Sequence, residues 1–346
     1  MKCSKFNQRR ARVTLFAALI ATPTLMVSVS RSAIAEGPPL ADVPAAVEKL
    51  PVRAQPLAFS FPNVGSLAKG GHLQGVQMRL YPESKRHVAF ISHDSQTSAY
   101  LVSVEFPTDL AGAGKVLHVQ TLPSDGKSPP LRHAGGFQLA GSLLAVGVED
   151  NQQKLRSQVQ FWDVALPSDP RQLEHLTIER LGVPKDQTSG AVAFIERPND
   201  FLVAVANWDS RAIDFYTSTT KNLFDHKTRF EHRLRWTVAA ADAKVWQPDG
   251  VFGAYQAINL MADAQDKLFL LGTDSPTAGG DALDLYAVDL DQPPARVLRK
   301  LLRKSFTLAV QGRFRFAGGV WVEGGRLGVL AGPRAFSAQT VLGIAR

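Results

Sequence analysis

The chain reads as an all-β protein, a β-propeller of about five four-stranded blades closed by a strand from its own N-terminus. Three observations predict this. A short apolar run ending at a polar turn recurs about every sixty residues, a second β-rich segment follows each copy, and a glycine or small residue precedes each one. Units of this length with turn signals every ten or so positions are the sequence signature of propeller blades.

The recurring run appears as His87 to Asp94, Leu143 to Asp150, Phe201 to Asp209 and Lys267 to Asp274. A fifth copy, Arg326 to Gly332, lacks the aspartate. The four terminal aspartates lie 56, 59 and 65 residues apart. The following segments are Tyr100 to Phe106, Val159 to Val164, Ile213 to Tyr216, Leu283 to Asp289 and Thr340 to Ile344. Small residues open each unit at Gly75, Gly136, Gly190, Ala254 and Gly319, and a fourth strand is visible in four units, for example Val116 to Thr121. The fifth unit meets Arg346 before its outer strand. Leu57 to Phe61 can supply it, which would remove an exposed edge. Six blades result if one unit conceals two.

The ends bound the setting. Lys2, Lys5, Arg9, Arg10 and Arg12 precede an uncharged run from Val13 to Ser30 and then Ala33-Ile34-Ala35, the order of a secretory signal. Cleavage is expected after Ala35, which places the mature chain in the periplasm or outside the cell. An uncleaved anchor is the alternative, opposed by Pro23 within the run, and Arg9-Arg10 also permits a twin-arginine reading. Residues 36–56 hold five prolines and read as a linker, leaving 57–346 as a single propeller domain.

Removing residues 1–35 takes away six basic residues and the only cysteine, Cys3, leaving 33 basic against 31 acidic residues. A nucleic-acid partner loses its support, and thiolate chemistry is excluded from the mature chain. There is no phosphate-binding glycine loop, no His-Glu-x-x-His and no Gly-x-Ser-x-Gly.

In a propeller the start of the inner strand and the turn after the second strand share one face. That gathers His72, His133 and Ser189 near Asp94, Asp150, Asp209 and Asp274, with Trp208 as a stacking surface. Such a ring of carboxylates suits a sugar or a calcium ion. The plainer reading is that the aspartates cap turns and staple blades. The second unit, with His133, Asp150 and Trp162-Asp163, resembles WD-repeat propellers, and the first does so in part through His72 and Asp94. That resemblance implies hydrogen bonds joining histidine, aspartate and tryptophan within one blade.

Residues 296–306 alone show helical periodicity. Val297, Leu298, Leu301 and Leu302 fall on one side and Arg299, Lys300, Arg303 and Lys304 on the other, so a basic helix is expected, either packed on the body or contacting an anionic surface. Because the aspartates recur, the expectation is a non-catalytic, exported binding or scaffold propeller with an unknown protein or glycan partner and no required cofactor. The alternative is a hydrolase of a glycan or phosphoester that uses carboxylates on this face for acid and base work.

Overall fold

The structure is a computed structural model that describes residues 39–246, 253–276, 280–308 and 312–346. It is a β-propeller. The first strand, β1 (Gln55–Ser60), belongs to the last blade; the rest run in chain order. The first set is β2 (Leu73–Tyr81), β3 (Arg86–His93), β4 (Ala99–Pro107) and β5 (Gly114–Leu122). The second is β6 (His133–Ala140), β7 (Leu143–Glu149), β8 (Arg156–Asp163) and, beyond a two-residue β9 (Arg171–Gln172), β10 (Ile178–Leu181). The third is β11 (Ala191–Glu196), β12 (Phe201–Ala206), β13 (Ala212–Ser218) and β14 (Phe230–Thr237). The fourth is β15 (Ala257–Ala262), β16 (Leu268–Asp274), β17 (Asp281–Val288) and β18 (Leu298–Phe306). The fifth is β19 (Arg313–Glu323), β20 (Arg326–Gly332) and β21 (Gln339–Ala345), with β1 outermost.

Burial explains why the second strands read as unbroken apolar runs. Each lies between two neighbouring sets, so β7 and β12 are buried at every residue, as strands covered on both faces must be. Outer strands keep one wet face; β10 alternates buried and exposed. The small residues opening each unit allow the inner strands to converge. A Cβ on Gly319 would lie 1.7 Å from the Val76 carbonyl oxygen, and one on Gly136 would lie 2.4 Å from that of Gln256. Contacts between β2, β6, β11, β15 and β19 run round the ring in that order.

The N-terminal strand closes the ring as expected. β1 pairs antiparallel with β21 from Gln55↔Ile344 to Ser60↔Gln339 and touches β5 in parallel at Phe59↔Gly114. At the inner edge β19 meets β2 at Gly318↔Gly75. The first and fifth sets are thus joined at both edges. Leu57, Phe59 and Phe61 are buried there, and burying each such side chain is worth roughly 1.5–3 kcal/mol.

Two local expectations are corrected. The proline-rich stretch at 36–56 is not a free linker where it is described. It forms α1 (Val43–Lys49), capped by Asp42, whose Oδ1 accepts the Ala45 N–H at 2.8 Å. Leu40, Val43, Val47 and Leu50 are buried in one cluster with Leu271, Leu285 and Phe306. Residues 298–306 are a strand, β18, rather than a basic helix. A bulge between Leu285 and Tyr286 moves their partners from Leu302 to Lys300 and leaves Leu301 as an extra residue. That one residue shifts the alternation and imitates a helical pattern in the sequence. The expected signal segment, residues 1–35, lies outside the described residues.

Candidate active site

The starts of all five inner strands meet at one end of the ring axis, around a cavity of about 330 Å³. The first set gives His72 and Gln74, the second His133 and Glu149, and the third Trp208 and Asp209. The fourth gives Tyr255 and Gln256, and the fifth Arg315, Phe316 and Arg334. At the other end a cavity of about 440 Å³ is lined by Met78, Leu139, Leu260, Met261 and Trp321, among others, and holds none of the residues singled out from the sequence.

His133 and Glu149 are opposite each other in the β6–β7 ladder, which puts both side chains on one face of the set. His133 Nδ1 lies 3.0 Å from Glu149 Oε1, and Glu149 Oε2 accepts the Ser189 N–H from the third set at 2.7 Å. Glu149 is fully buried. Burial opposes a charge on His133, but the hydrogen bond and charge of Glu149, with Asp94 behind, raise its pKa above the ordinary imidazole value. Its other nitrogen, Nε2, lies 2.6 Å from Gln74 Nε2 and 3.9 Å from Asp94 Oδ2. Gln74 suits either form of the ring, offering amide N–H to the neutral imidazole and amide oxygen to the imidazolium. Asp94 Oδ1 accepts the backbone N–H of His72, fixing the start of the first inner strand.

The four aspartates are therefore not equivalent, although they recur. Asp150 is buried, and its Oδ1 accepts the N–H groups of Gln152 and Gln153, each at 2.9 Å. It is a turn residue. Asp274 Oδ2 takes Arg303 Nη2 at 3.0 Å and lies off the cavity. Asp209 is exposed on the cavity wall, with a left-handed φ of 56°. Beside it Trp208 is half-buried, with Lys154 Nζ 3.7 Å from its ring centroid, so one face of the ring is taken by the ammonium. The WD-repeat staple is corrected as well. In the second set the partner of His133 is Glu149, not Asp150, while Trp162 packs in the core between the first and second sets.

Sequence reasoning missed Glu149. The signal was an acid inside an apolar strand, where a charge is kept only if paired. It also missed two buried clusters, both built on Asp-x-Tyr in a third strand. Asp214 Oδ2 binds Arg180 Nη2 at 2.9 Å, Arg180 Nη1 donates to the Tyr216 hydroxyl at 2.7 Å, and Arg235 and His232 also reach Asp214. Asp284 binds Lys300 at 3.1 Å and Arg303 at 3.0 Å and accepts from the Tyr255 hydroxyl at 2.6 Å. Burial drives the Tyr255 hydroxyl well above its usual pKa. The expected anionic-surface residues are thus split. Lys300 and Arg303 are held by carboxylates, Lys304 donates to the Glu48 carbonyl, and Arg299 is exposed.

His72, Asp94 and His133 bring one donor atom each within 4.8 Å of one another. Two imidazoles and one carboxylate do not suit calcium, which takes six to eight oxygens. The set is nearer to that of a borderline transition metal, but the Gln74 amide stands between the rings, 3.0 Å from His72 Nδ1 as well as 2.6 Å from His133. The group is a hydrogen-bonded network.

No protein-family profile matches the sequence, and no curated protein does. Solved structures match its shape. The catalytic domain of a GH62 α-L-arabinofuranosidase from Coprinopsis cinerea is 14% identical, with 86% of this chain and 96% of that one covered at a TM-score of 0.50. The α-L-arabinofuranosidase of Podospora anserina, crystallised with cellotriose, is 12% identical, with 85% and 95% covered at 0.49. A GH43 enzyme from Xanthomonas citri is 8% identical, with 83% and 90% covered at 0.45. At such identities the likeness carries the propeller fold. The expectation of a non-catalytic binding or scaffold propeller is corrected here. The similar propeller from Coprinopsis cinerea is named as a GH62 α-L-arabinofuranosidase, and the recurrence on which that expectation rested dissolves into four aspartates with four different environments.

Proposed function

We propose that the chain is a hydrolase of glycosidic bonds, working at the polar end of the axis and, once its first 35 residues are removed, outside the cytoplasm. One observation carries the reading. An imidazole held by a buried carboxylate, and an exposed carboxylate, from adjacent sets, line one cavity. Glycoside hydrolysis needs an acid for the leaving oxygen and a carboxylate opposite it, to activate water or to attack the sugar.

His133 fits the acid. Glu149 orients the ring, and its hydrogen bond and charge raise the His133 pKa, favouring the imidazolium. Asp209, exposed and next to Trp208, fits the carboxylate, with the free face of the indole as a platform for a sugar ring. The activity recorded in the names of the similar propellers agrees with this reading.

The test is cleavage by the mature chain of a panel of aryl glycosides and oligosaccharides. His133→Gln and Asp209→Asn should each lower kcat by about 10²–10⁴-fold, the usual size of an acid–base contribution, with Asp150→Asn near wild type. Activity should fall as pH rises through the raised His133 value. Absence of cleavage across the panel, or cleavage indifferent to both substitutions, overturns the reading.

A further inference from the structure

The cavity is electrostatically two-sided. Its acid–base groups come from the second and third sets, whereas the fifth set, not adjacent to either in the ring, supplies Arg315 and Arg334. Neither guanidinium has an ion-pair partner among the described residues. Arg313, two residues before Arg315, is by contrast engaged by Asp281 at 3.3 Å. Neither acid on the wall pairs with the arginines among the described residues: Glu149 is engaged by His133 and the Ser189 N–H, and Asp209 belongs to the third set. Two unpaired guanidinium groups on a concave polar cavity suit oxyanions, which they can grip in bidentate fashion.

We infer that the substrate is an anionic glycan, a sugar whose carboxylate, sulfate or phosphate is held by Arg315 and Arg334 while its glycosidic bond faces His133 and Asp209. The inference rests on the glycan-hydrolase reading for the bond cleaved, but not for the binding step. The arginine wall fixes which way round the sugar enters. Phe316, with its ring centroid 6.5 Å from that of His72, also lines the cavity.

Equilibrium binding to the whole mature chain tests this independently of turnover. Trigalacturonate should bind at least tenfold more tightly than its fully methyl-esterified form, which keeps the sugar and removes the charge. The preference should shrink as salt is raised. A 6-sulfated galactose oligosaccharide beside its unsulfated form distinguishes sulfate from carboxylate as the favoured group, and a preference for either charged member supports the inference. Arg315→Gln and Arg334→Gln, both at exposed residues, should each lose about tenfold in affinity, with Arg326→Gln, away from the cavity, unchanged. Equal binding of charged and neutral forms, failure of every anionic probe to bind, or full affinity in the double variant overturns the inference. Cleavage of neutral glycosides that still depends on His133 and Asp209 would then leave the hydrolase reading standing by itself.

Discussion

The Asp214 and Asp284 clusters and the His133–Glu149 pair are all buried, yet they differ in what surrounds them. Around Asp284 every charge is met by protein. Tyr255, Lys300 and Arg303 converge on one carboxylate, and Arg303 ties in Asp274 as well. Around His133 the charges stop at a cavity. A network enclosed by protein ties strands together, whereas one that borders a cavity leaves room for a ligand. Burial of a charge does not separate the two cases; what lies beside it does.

The comparison breaks most visibly at the closed networks. Asp284→Ala should remove the carboxylate that Lys300 and Arg303 share, leaving Arg303 with Asp274, and Asp214→Ala should take the carboxylate from the buried Arg180, each at about 3–5 kcal/mol in urea unfolding. Replacing Asp284 and Lys300 together by apolar residues of similar volume should recover much of that loss, because no unpaired charge remains. A cost below 1 kcal/mol would place these clusters with ordinary surface pairs.

The next effect is in the pH dependence. His93 is buried beside Phe336 and Tyr100, and burial lowers its pKa from 6.5 to about 4, opposed by Asp94 and assisted by His72. A histidine depressed in the folded state binds its proton more readily when unfolded. Stability is therefore full above pH 6.5 and declines as pH falls toward 4, by about 3 kcal/mol at most. His93→Phe should flatten that slope. His133 works in the opposite sense. Its raised value contributes stability below pH 6.5 that is lost as pH rises through the folded value, and Glu149→Gln should remove the alkaline loss. Urea midpoints from pH 4.5 to 9 read both slopes in one series, and a flat profile in the wild type would contradict both assignments.

The smallest effect belongs to the turn. Asp150→Ala removes the acceptor for two backbone N–H groups and should cost about 1 kcal/mol, with no change in substrate affinity. A loss of affinity would return Asp150 to the cavity wall.

The sequence shows the propeller clearly, because it follows from repetition. Strand length, turn spacing and small residues at converging strands recur in each unit, and Leu57 to Phe61 stands out as the complement of an incomplete last unit. What it conceals are departures from repetition. Asp150 and Glu149 are adjacent, and only the register of β6 against β7 assigns the histidine to Glu149. The bulge at Leu301 gives a strand the look of a helix. Asp214 and Asp284 lie inside β-rich runs whose alternation sends them inward, but their partners come from Arg180 on β10 and from Lys300 and Arg303 on β18, at separations that no local pattern encodes. Pro44 looked like linker chemistry, yet a proline in the first turn of a helix is equally at home.

The double seam between the first and fifth sets also has a consequence in time. Ser60 and Gln339 are paired although they stand 279 positions apart, so one of the earliest strands made waits for one of the last. Loop-closure entropy grows only slowly with such a distance, but contacts of this range slow the search that forms them. Until β21 arrives, β1 has only its short parallel contact with β5, and both flanks of the seam offer bare strand edges to other chains. Loss of the final seven residues should thus be as damaging to yield as loss of β1, since either leaves a ring that can join its neighbour in solution more readily than itself.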